Sequence, residues 1–506
     1  MRKLVLTGVA ALLCGTACTT AGPLSAAPSP LSFGACPADL AEQFPTMTCA
    51  TFEAPLDYAH PDGPTITLLA SRIAAGDPAK RRGTLFVNPG GPGSSAAARI
   101  GTITVPDQDG VTRLPQQVID AYDLIGLDPR GVGHSSPISC VDPEFWNGPQ
   151  PDPDDPANLG RLWEKWRTFA AGCASRSGDV LAHIGTIDAA RDMDLLRSKL
   201  GERTISFYGT SYATYLGAVY GELFPQRVDR MLLDAPVDPE PGAMWFEAGF
   251  AQAPALEQRF DGWLAWAAAH DDLFHLGATV EAARATVDGV LADLRAAPRG
   301  PVGVGEVLGT IYNALFSEVV WNDLATAMSA YAVGHDDSAL VGMSTPHVTP
   351  EQEQAAAAAT AVSCVDAQWP SDHTAYESRA AEATTTSRFA WWNMWLGGAA
   401  CADWPVPHGE RVPITGAGLP PVLMFSPVGD PGAPHAGALA MHRVMPSSVM
   451  VTEADSGKHG AFANQQAVLN QTAQDIGAAY LVRGELPAHD ITIPGHAVPA
   501  ASLQDR

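Results

Sequence analysis

The segment Ile205–Ser206–Phe207–Tyr208–Gly209–Thr210–Ser211–Tyr212–Ala213–Thr214–Tyr215 decides the fold. Its first half belongs to an apolar run of strand length, Thr204–Tyr208. Its second half opens a helical stretch, Tyr212–Phe224, which Pro225 ends. A Gly-x-Ser-x-small turn joins the two. A serine held at so tight a strand-to-helix turn needs small residues two positions before and after it, because a side chain there meets neighbouring backbone. Gly209 and Ala213 occupy those positions, Ala213 adding one methyl group where a second glycine is usual. Ser211 is therefore the candidate nucleophile, set beside the free N–H groups of a helix N-terminus.

Outward from this turn, strands alternate with helices. Thr65–Ile73, Thr84–Val87, Leu124–Leu127 and Val228–Leu233 read as strands, the last ending at Asp234. Thr186–Leu200 reads as a helix with Thr186 as N-cap and Gly201 as stop. The alternation implies a mostly parallel sheet with helices on both faces. From about Pro239 to Pro420 the pattern is helical throughout. It includes an aromatic stretch from Trp245 to Trp266, a run from Val280 to Leu294 closed by Pro298, and helices over Tyr312–Ala332 and Glu351–Ser363. Strands return at Val422–Phe425 and Ser448–Val451, followed by a helix around Ala463–Val482. The expected α/β architecture is one core, 28–238 and 421–506, with a large helical cap, 239–420, inserted between two of its strands.

A serine is a weak nucleophile without a base and a carboxylate to orient that base. Two segments past the cap supply them. Val422–Phe425 leads to Gly429–Asp430–Pro431, and Ser448–Val451 leads through Asp455 to Lys458–His459–Gly460. Both lie just beyond the C-terminal ends of strands, where sites of parallel sheets form. Asp430 is preferred over Asp455, which sits in the same loop as His459; His435, His442, His489 and His496 follow no strand end so closely. An oxyanion hole needs two converging backbone N–H groups. Tyr212 supplies one, and Gly91, in Asn88–Pro89–Gly90–Gly91–Pro92–Gly93, is the choice for the other. That loop lacks the Gly-Lys-Ser/Thr ending of a phosphate loop, and no C-x-x-C or H-E-x-x-H pattern is present. No cofactor or metal is expected.

The chain has 506 residues and a formal net charge of −25, which disfavours nucleic-acid partners. Met1–Arg2–Lys3, an apolar Leu4–Leu13 and small residues through Ala27 read as a secretory signal peptide, 1–27. Gly15–Thr16–Ala17–Cys18 is an imperfect lipoprotein box, in which lipidation of Cys18 would tether the protein to the membrane surface. The expectation is secretion, free or lipid-anchored at the cell surface. Of 8 cysteines, Cys14 and Cys18 fall in this leader. The others suggest bridges in an oxidising compartment, and nearest-neighbour pairing, Cys36–Cys49, Cys140–Cys173 and Cys364–Cys401, closes the shortest loops.

The Asn88–Gly93 loop, Asp128–Pro129–Arg130–Gly131, the turn through Gly217, the Asp430/His459 tail, Cys364 with Asp366, and Cys401–Ala402–Asp403–Trp404–Pro405 together resemble the secreted tripeptidyl aminopeptidases of actinomycetes. These are relatives of proline iminopeptidase within the α/β-hydrolase fold. The resemblance covers nearly the whole mature chain. It implies a serine exopeptidase with Ser211, Asp430 and His459 as triad and Gly91 and Tyr212 as oxyanion donors, whose helical cap limits access to a peptide's N-terminal end. Ala213 departs from the family, as do the absence of a cysteine pair in Trp266–Gly277 and of cysteines after His459. These departures fall mostly in the specificity region and leave the peptide substrate open. Glu247, Glu257 and Glu318 are candidates to bind a substrate's amino group. The rival reading is an amidase or esterase acting on a small secreted metabolite, such as an N-acetylated antibiotic. A third, a binding module on an inactive hydrolase fold, conflicts with the complete Ser, Asp and His set.

Overall fold

A computed structural model describes residues 31–502 except 108–109, 148, 153–154, 241–243, 391–397, 465–467, 497 and 499. The expected signal peptide, with Cys14 and Cys18, lies outside the described residues.

Among the described residues, nine strands form one sheet in the order β1-β2-β4-β3-β5-β6-β7-β8-β9. They are β1 (Thr48–Pro55), β2 (Thr65–Ile73), β3 (Gly83–Asn88), β4 (Tyr122–Leu127), β5 (Ile205–Thr210), β6 (Val228–Asp234), β7 (Val422–Pro427), β8 (Ser448–Glu453) and β9 (Ile491–Ile493). β1 and β2 pair antiparallel, as do β2 and β4; every later pairing, from β4 to β9, is parallel. The central strands are apolar along their whole length because both faces are covered. Alternate residues separate onto the two faces. Phe86, Ile125, Phe207, Met231, Leu233 and Met424 join one core. Leu85, Val87, Leu124, Tyr208, Leu232 and Phe425 join the other.

Between β6 and β7 the described residues hold helices and an isolated Arg299–Val302 bridge. Phe246–Ala269, Val280–Ala296, Val304–Phe316 and Trp321–Ala332 bury their own core, including Phe260, Trp263, Ile311 and Trp321. The helix expected over Tyr312–Ala332 is two helices, parted by a 3₁₀ turn at Glu318–Val320. Pro350–Asp366 packs instead with the core of the sheet, through Ala357, Ala358, Ala361 and Val362.

Other local expectations shift. Thr186 is the first helical residue and Gly185 the N-cap, because the Thr186 hydroxyl is drawn to Asp366. The last helix begins at Gln471, capped by Asn470, eight residues after Ala463. A helix at Leu159–Ser177, before β5, was not marked in the sequence. The bridges Cys36–Cys49, Cys140–Cys173 and Cys364–Cys401 are those of the nearest-neighbour pairing.

Candidate active site

Ser211 stands between β5 and the helix Tyr212–Leu223 with φ 60° and ψ −128°, a conformation that costs a non-glycine residue about 1–3 kcal/mol. The surroundings hold it there. Its N–H donates to Asp234 O at 2.9 Å, and Thr214 Oγ1 donates to its carbonyl at 2.6 Å. A Cβ on Gly209 would come within 2.7 Å of Ala213 O, so glycine is required there, while Ala213 itself is accommodated fully buried. Gly217 is equally constrained, since a Cβ would lie 2.4 Å from the Phe207 ring.

The loop after β3 lies against this turn. A Cβ on Gly90, whose φ is +89°, would fall 2.4 Å from Thr210 O, 3.1 Å from Tyr212 N and 3.2 Å from Ser211 Cβ. The close approach that glycine permits thus seats Asn88–Gly93 beside the start of the helix, and Asn88 Oδ1 accepts from Gly90 N at 2.9 Å. Gly91 has φ +110° and lines one cavity with Ser211 and Tyr212. The Asp128–Gly131 segment braces the same region from behind. Asp128 Oδ1 accepts from Ala97 N and Ser95 Oγ, and the wholly buried Arg130 forks onto Asp192.

Asp430 and His459 come together from the ends of β7 and β8. Asp430 is 1% exposed; its Oδ1 accepts from His459 Nδ1 at 2.8 Å and from Gly432 N and Ala433 N at 2.9 Å, and its Oδ2 from Gly460 N at 3.1 Å. Burial disfavours the charged imidazolium, but the Asp430 carboxylate outweighs it and holds the His459 pKa above its ordinary value. Phe316 meets the His459 ring edge-on, centroids 5.6 Å apart. Asp455 stands exposed on the turn before it. Three of the competing histidines are engaged elsewhere, His435 with Ser426, His442 with Ser448 and Asp490, and His496 with Glu318 and Glu453, and His489 stands exposed.

Two features were not read from the sequence as part of the site. The first is Asp234, fully buried at the end of β6, whose carboxylate accepts from Ala461 N at 2.8 Å and Phe462 N at 2.9 Å. Burial pushes its pKa up to about 7, against those two bonds and the charge of Lys458. It fixes the chain that follows His459. Only its place at a strand end could have drawn attention to it, since its partners lie far downstream. The second is a buried chain of charges behind His459. Arg259 pairs with Glu318, which bonds His496 at 2.5 Å; His496 bonds Glu453 at 3.3 Å, and Glu453 pairs with Lys458 at 3.0 Å.

The cavity at Ser211 has a volume of about 440 Å³. Trp245, Phe246, Phe250, Trp369 and Tyr376 give it an apolar wall, and Gly432, packed against the His459 ring, closes it on that side. Of the three candidate carboxylates, Glu247 lines this cavity, with Oε2 held by Arg379 Nε at 3.0 Å. Glu257 is paired with Arg284 and Arg388, and Glu318 is buried in the charge chain. No group of three or more metal-ligating side chains occurs among the described residues.

A family pattern described as "TAP-like protein" matches residues 387–493. Across 469 residues the chain is 37% identical to a tripeptidyl aminopeptidase of Streptomyces lividans, covering 90% of this chain and 84% of that one. It is 31% identical over 468 residues to a Mycobacterium tuberculosis protein named carboxylesterase B, covering 87% and 85%. It is 28% identical over 468 residues to serine protease Hip1 of the same organism, covering 87% and 86%. With its strand order and its serine at the β5 turn, the chain belongs to the tripeptidyl aminopeptidase family of α/β-hydrolase serine hydrolases.

Proposed function

We propose that this protein is an exported serine aminopeptidase that releases short peptides from the N-terminal end of its substrates through an acyl-enzyme. The observation that carries the reading is the His459–Asp430 hydrogen bond of 2.8 Å, beside the cavity that Ser211 lines from its strained turn. In this scheme Ser211 Oγ attacks the scissile carbonyl carbon and His459 takes the hydroxyl proton. The carbonyl oxygen becomes an oxyanion, which accepts from Gly91 N–H and Tyr212 N–H. Collapse breaks the C–N bond, and the imidazolium gives its proton to the leaving amine. Water, activated by the same imidazole, then frees the peptide and regenerates Ser211.

The peptide class follows the activity named for the Streptomyces relative. Glu247 is the residue for the substrate's ammonium group, being the candidate carboxylate in the cavity wall. Three disulfides support folding in an oxidising compartment, in keeping with the leader read at 1–27. No helix among the described residues is long and apolar enough to cross a membrane.

The test is a product-identified screen with the mature protein. Peptides with a free N-terminus should be shortened from that end, N-acetylated ones should not, and Ser211→Ala should abolish both turnover and fluorophosphonate labelling. Glu247→Gln should raise KM for free-amine peptides with little change in kcat. Retained turnover in Ser211→Ala would remove that residue from the mechanism. A second reading, hydrolysis of esters or N-acyl groups on a small molecule, draws on the carboxylesterase relative and the aromatic wall. Faster turnover of esters and N-acetyl amides than of free-amine peptides would favour it.

A further inference from the structure

The buried chain of charges behind His459 joins three parts of the molecule. Arg259 and Glu318 belong to the cap, Glu453 and Lys458 to the end of β8 and the turn after it, and His496 to the tail that follows β9. None of the five side chains is more than 9% exposed. His496 is the middle member. Its Nε2 lies 2.5 Å from Glu318 Oε2 and its Nδ1 3.3 Å from Glu453 Oε1. Only the imidazolium can donate to a carboxylate from both nitrogens. Burial works against that charge, as does Lys458, but the bonds to Glu318 and Glu453 prevail and hold the His496 pKa above its ordinary value.

Both ends of the chain of charges reach the surroundings of the His459 imidazole. Lys458 is the residue before it, and Lys458 Nζ pairs with Glu453 at 3.0 Å. Arg259 lies on the same turn, since a Cβ on Gly457 would come within 2.5 Å of its Nη1. Arg259 Nε donates to Leu315 O at 3.2 Å, and the next residue, Phe316, meets the His459 ring. The tail presses on the turn as well: a Cβ on Gly495 would fall 2.3 Å from Ala454 O. Past His496 the tail reaches the cap, where Ala500 O accepts from Asn322 Nδ2 at 3.1 Å and Ser502 N donates to Asn322 Oδ1 at 2.8 Å. His496 does not line the cavity at Ser211, so it acts through these neighbours. We propose that His496 is a positioning residue for hydrolysis: by bonding Glu318 and Glu453 at once it ties the cap to the turn before His459 and keeps that imidazole where it can take the Ser211 proton. The inference rests on reading His459 as the general base of a serine hydrolase.

The test measures kcat and KM on a free-amine peptide, and the rate at which a fluorophosphonate labels Ser211, in the wild type, His496→Gln and His496→Asn. A glutamine amide stands near the place of Nε2 and an asparagine amide near that of Nδ1, so each variant keeps one bond and loses the other. Both should lower kcat and the labelling rate by about tenfold or more, as a misplaced base does, with KM within about twofold of the wild type. The labelling rate is read per reactive site, because loss of folded protein alone lowers the amplitude and leaves the rate unchanged. The wild type carries an independent arm. Its labelling should rise with pH as His459 loses its proton and fall at higher pH as His496 loses its own, a fall that both variants should lack. Wild-type labelling that stays level up to about pH 10, full kcat in either variant, or a change confined to KM overturns the proposal and leaves the serine-hydrolase reading intact. If wild-type Ser211 resists the fluorophosphonate and neither peptides nor esters turn over, the reading of the site fails instead.

Discussion

In the proposed mechanism, replacing Asp430 by asparagine separates two things a triad carboxylate does: it holds the imidazole, and it supplies charge. The oxygens of Asp430 are unequally loaded. Oδ1 accepts from His459 Nδ1, Gly432 N and Ala433 N, and Oδ2 from Gly460 N. An asparagine with its oxygen at the Oδ1 position keeps three of these bonds and leaves Gly460 N–H facing an amide. The flipped amide leaves three donors facing it. At about 1–3 kcal/mol for each stranded buried donor, the first orientation prevails. His459 therefore keeps its Nδ1 proton and the tautomer that leaves Nε2 free to act as base. What the variant loses is charge. Unit charges about 4–5 Å apart at an effective dielectric of about 20 interact by roughly 3–4 kcal/mol, so kcat should fall by about 10²–10³. The loss for the same substitution in a serine protease where the tautomer is reversed is about 10⁴. The pH profile carries a second signature. The base must be neutral to act, so activity rises with pH through the imidazole pKa, which Asp430 holds high. In Asp430→Asn that limb should move to lower pH. The assay is kcat against pH on the best substrate of the screen, with fluorophosphonate labelling rates alongside. A fall of 10⁴ or more, equal to that of Asp430→Ala, or an acidic limb that stays in place, would refute the reasoning.

Asp234→Asn should act on stability. With the folded carboxyl protonated up to about pH 7 and the unfolded one ionised above about 4, the folded state binds more protons in that window, and this group makes stability fall as pH rises from about 4 to 7. Denaturant titrations of the variant should show a flatter pH dependence there, and an unchanged slope would count against the raised pKa. Gly90→Ala should slow turnover at least tenfold and lower stability by about 2 kcal/mol or more. Its methyl group must displace Thr210 O or the turn at Ser211, so wild-type kcat would mean the contact is loose. Glu453→Gln should destabilise by about 3–5 kcal/mol, because it strands the wholly buried Lys458, and adding Lys458→Met should recover much of that loss. A double-mutant cycle with no coupling would mean the pair contributes little.

The inner parallel strands were legible because burial on both faces gives each of them an apolar run. The turn at Ser211 was legible because its sterics dictate residue types locally. The strands that escaped are the outer ones. Thr48–Pro55 pairs on one side and mixes small, polar and apolar residues, and Ile491–Ile493 is three residues long. The break at Glu318 was hidden because nothing nearby stops a helix. The turn exists to bring Glu318 to Arg259 and His496, partners remote in sequence. Leu159–Ser177 was within reach, since Leu162, Trp163, Trp166, Phe169 and Cys173 recur at helical spacing. In the site, Asp430 and His459 could be ranked by their places after strands. Choosing among Glu247, Glu257 and Glu318 could not be done that way, because all three pair with arginines and only the packing of the helices puts Glu247 on the cavity wall.

The helix Pro350–Asp366 sets a condition on how any substrate reaches Ser211. Near its start Glu353 accepts from Cys140 N and Val141 N, and at its end Asp366 binds both the N–H and the hydroxyl of Thr186, which in turn meets the Tyr212 hydroxyl. Midway, Ala355 O leaves no room for a Cβ on Gly93. A roof fastened at both ends and pressed against the floor between them cannot swing aside for each turnover. Under the aminopeptidase reading proposed above, a peptide reaches Ser211 past a helix held in place rather than beneath one that lifts.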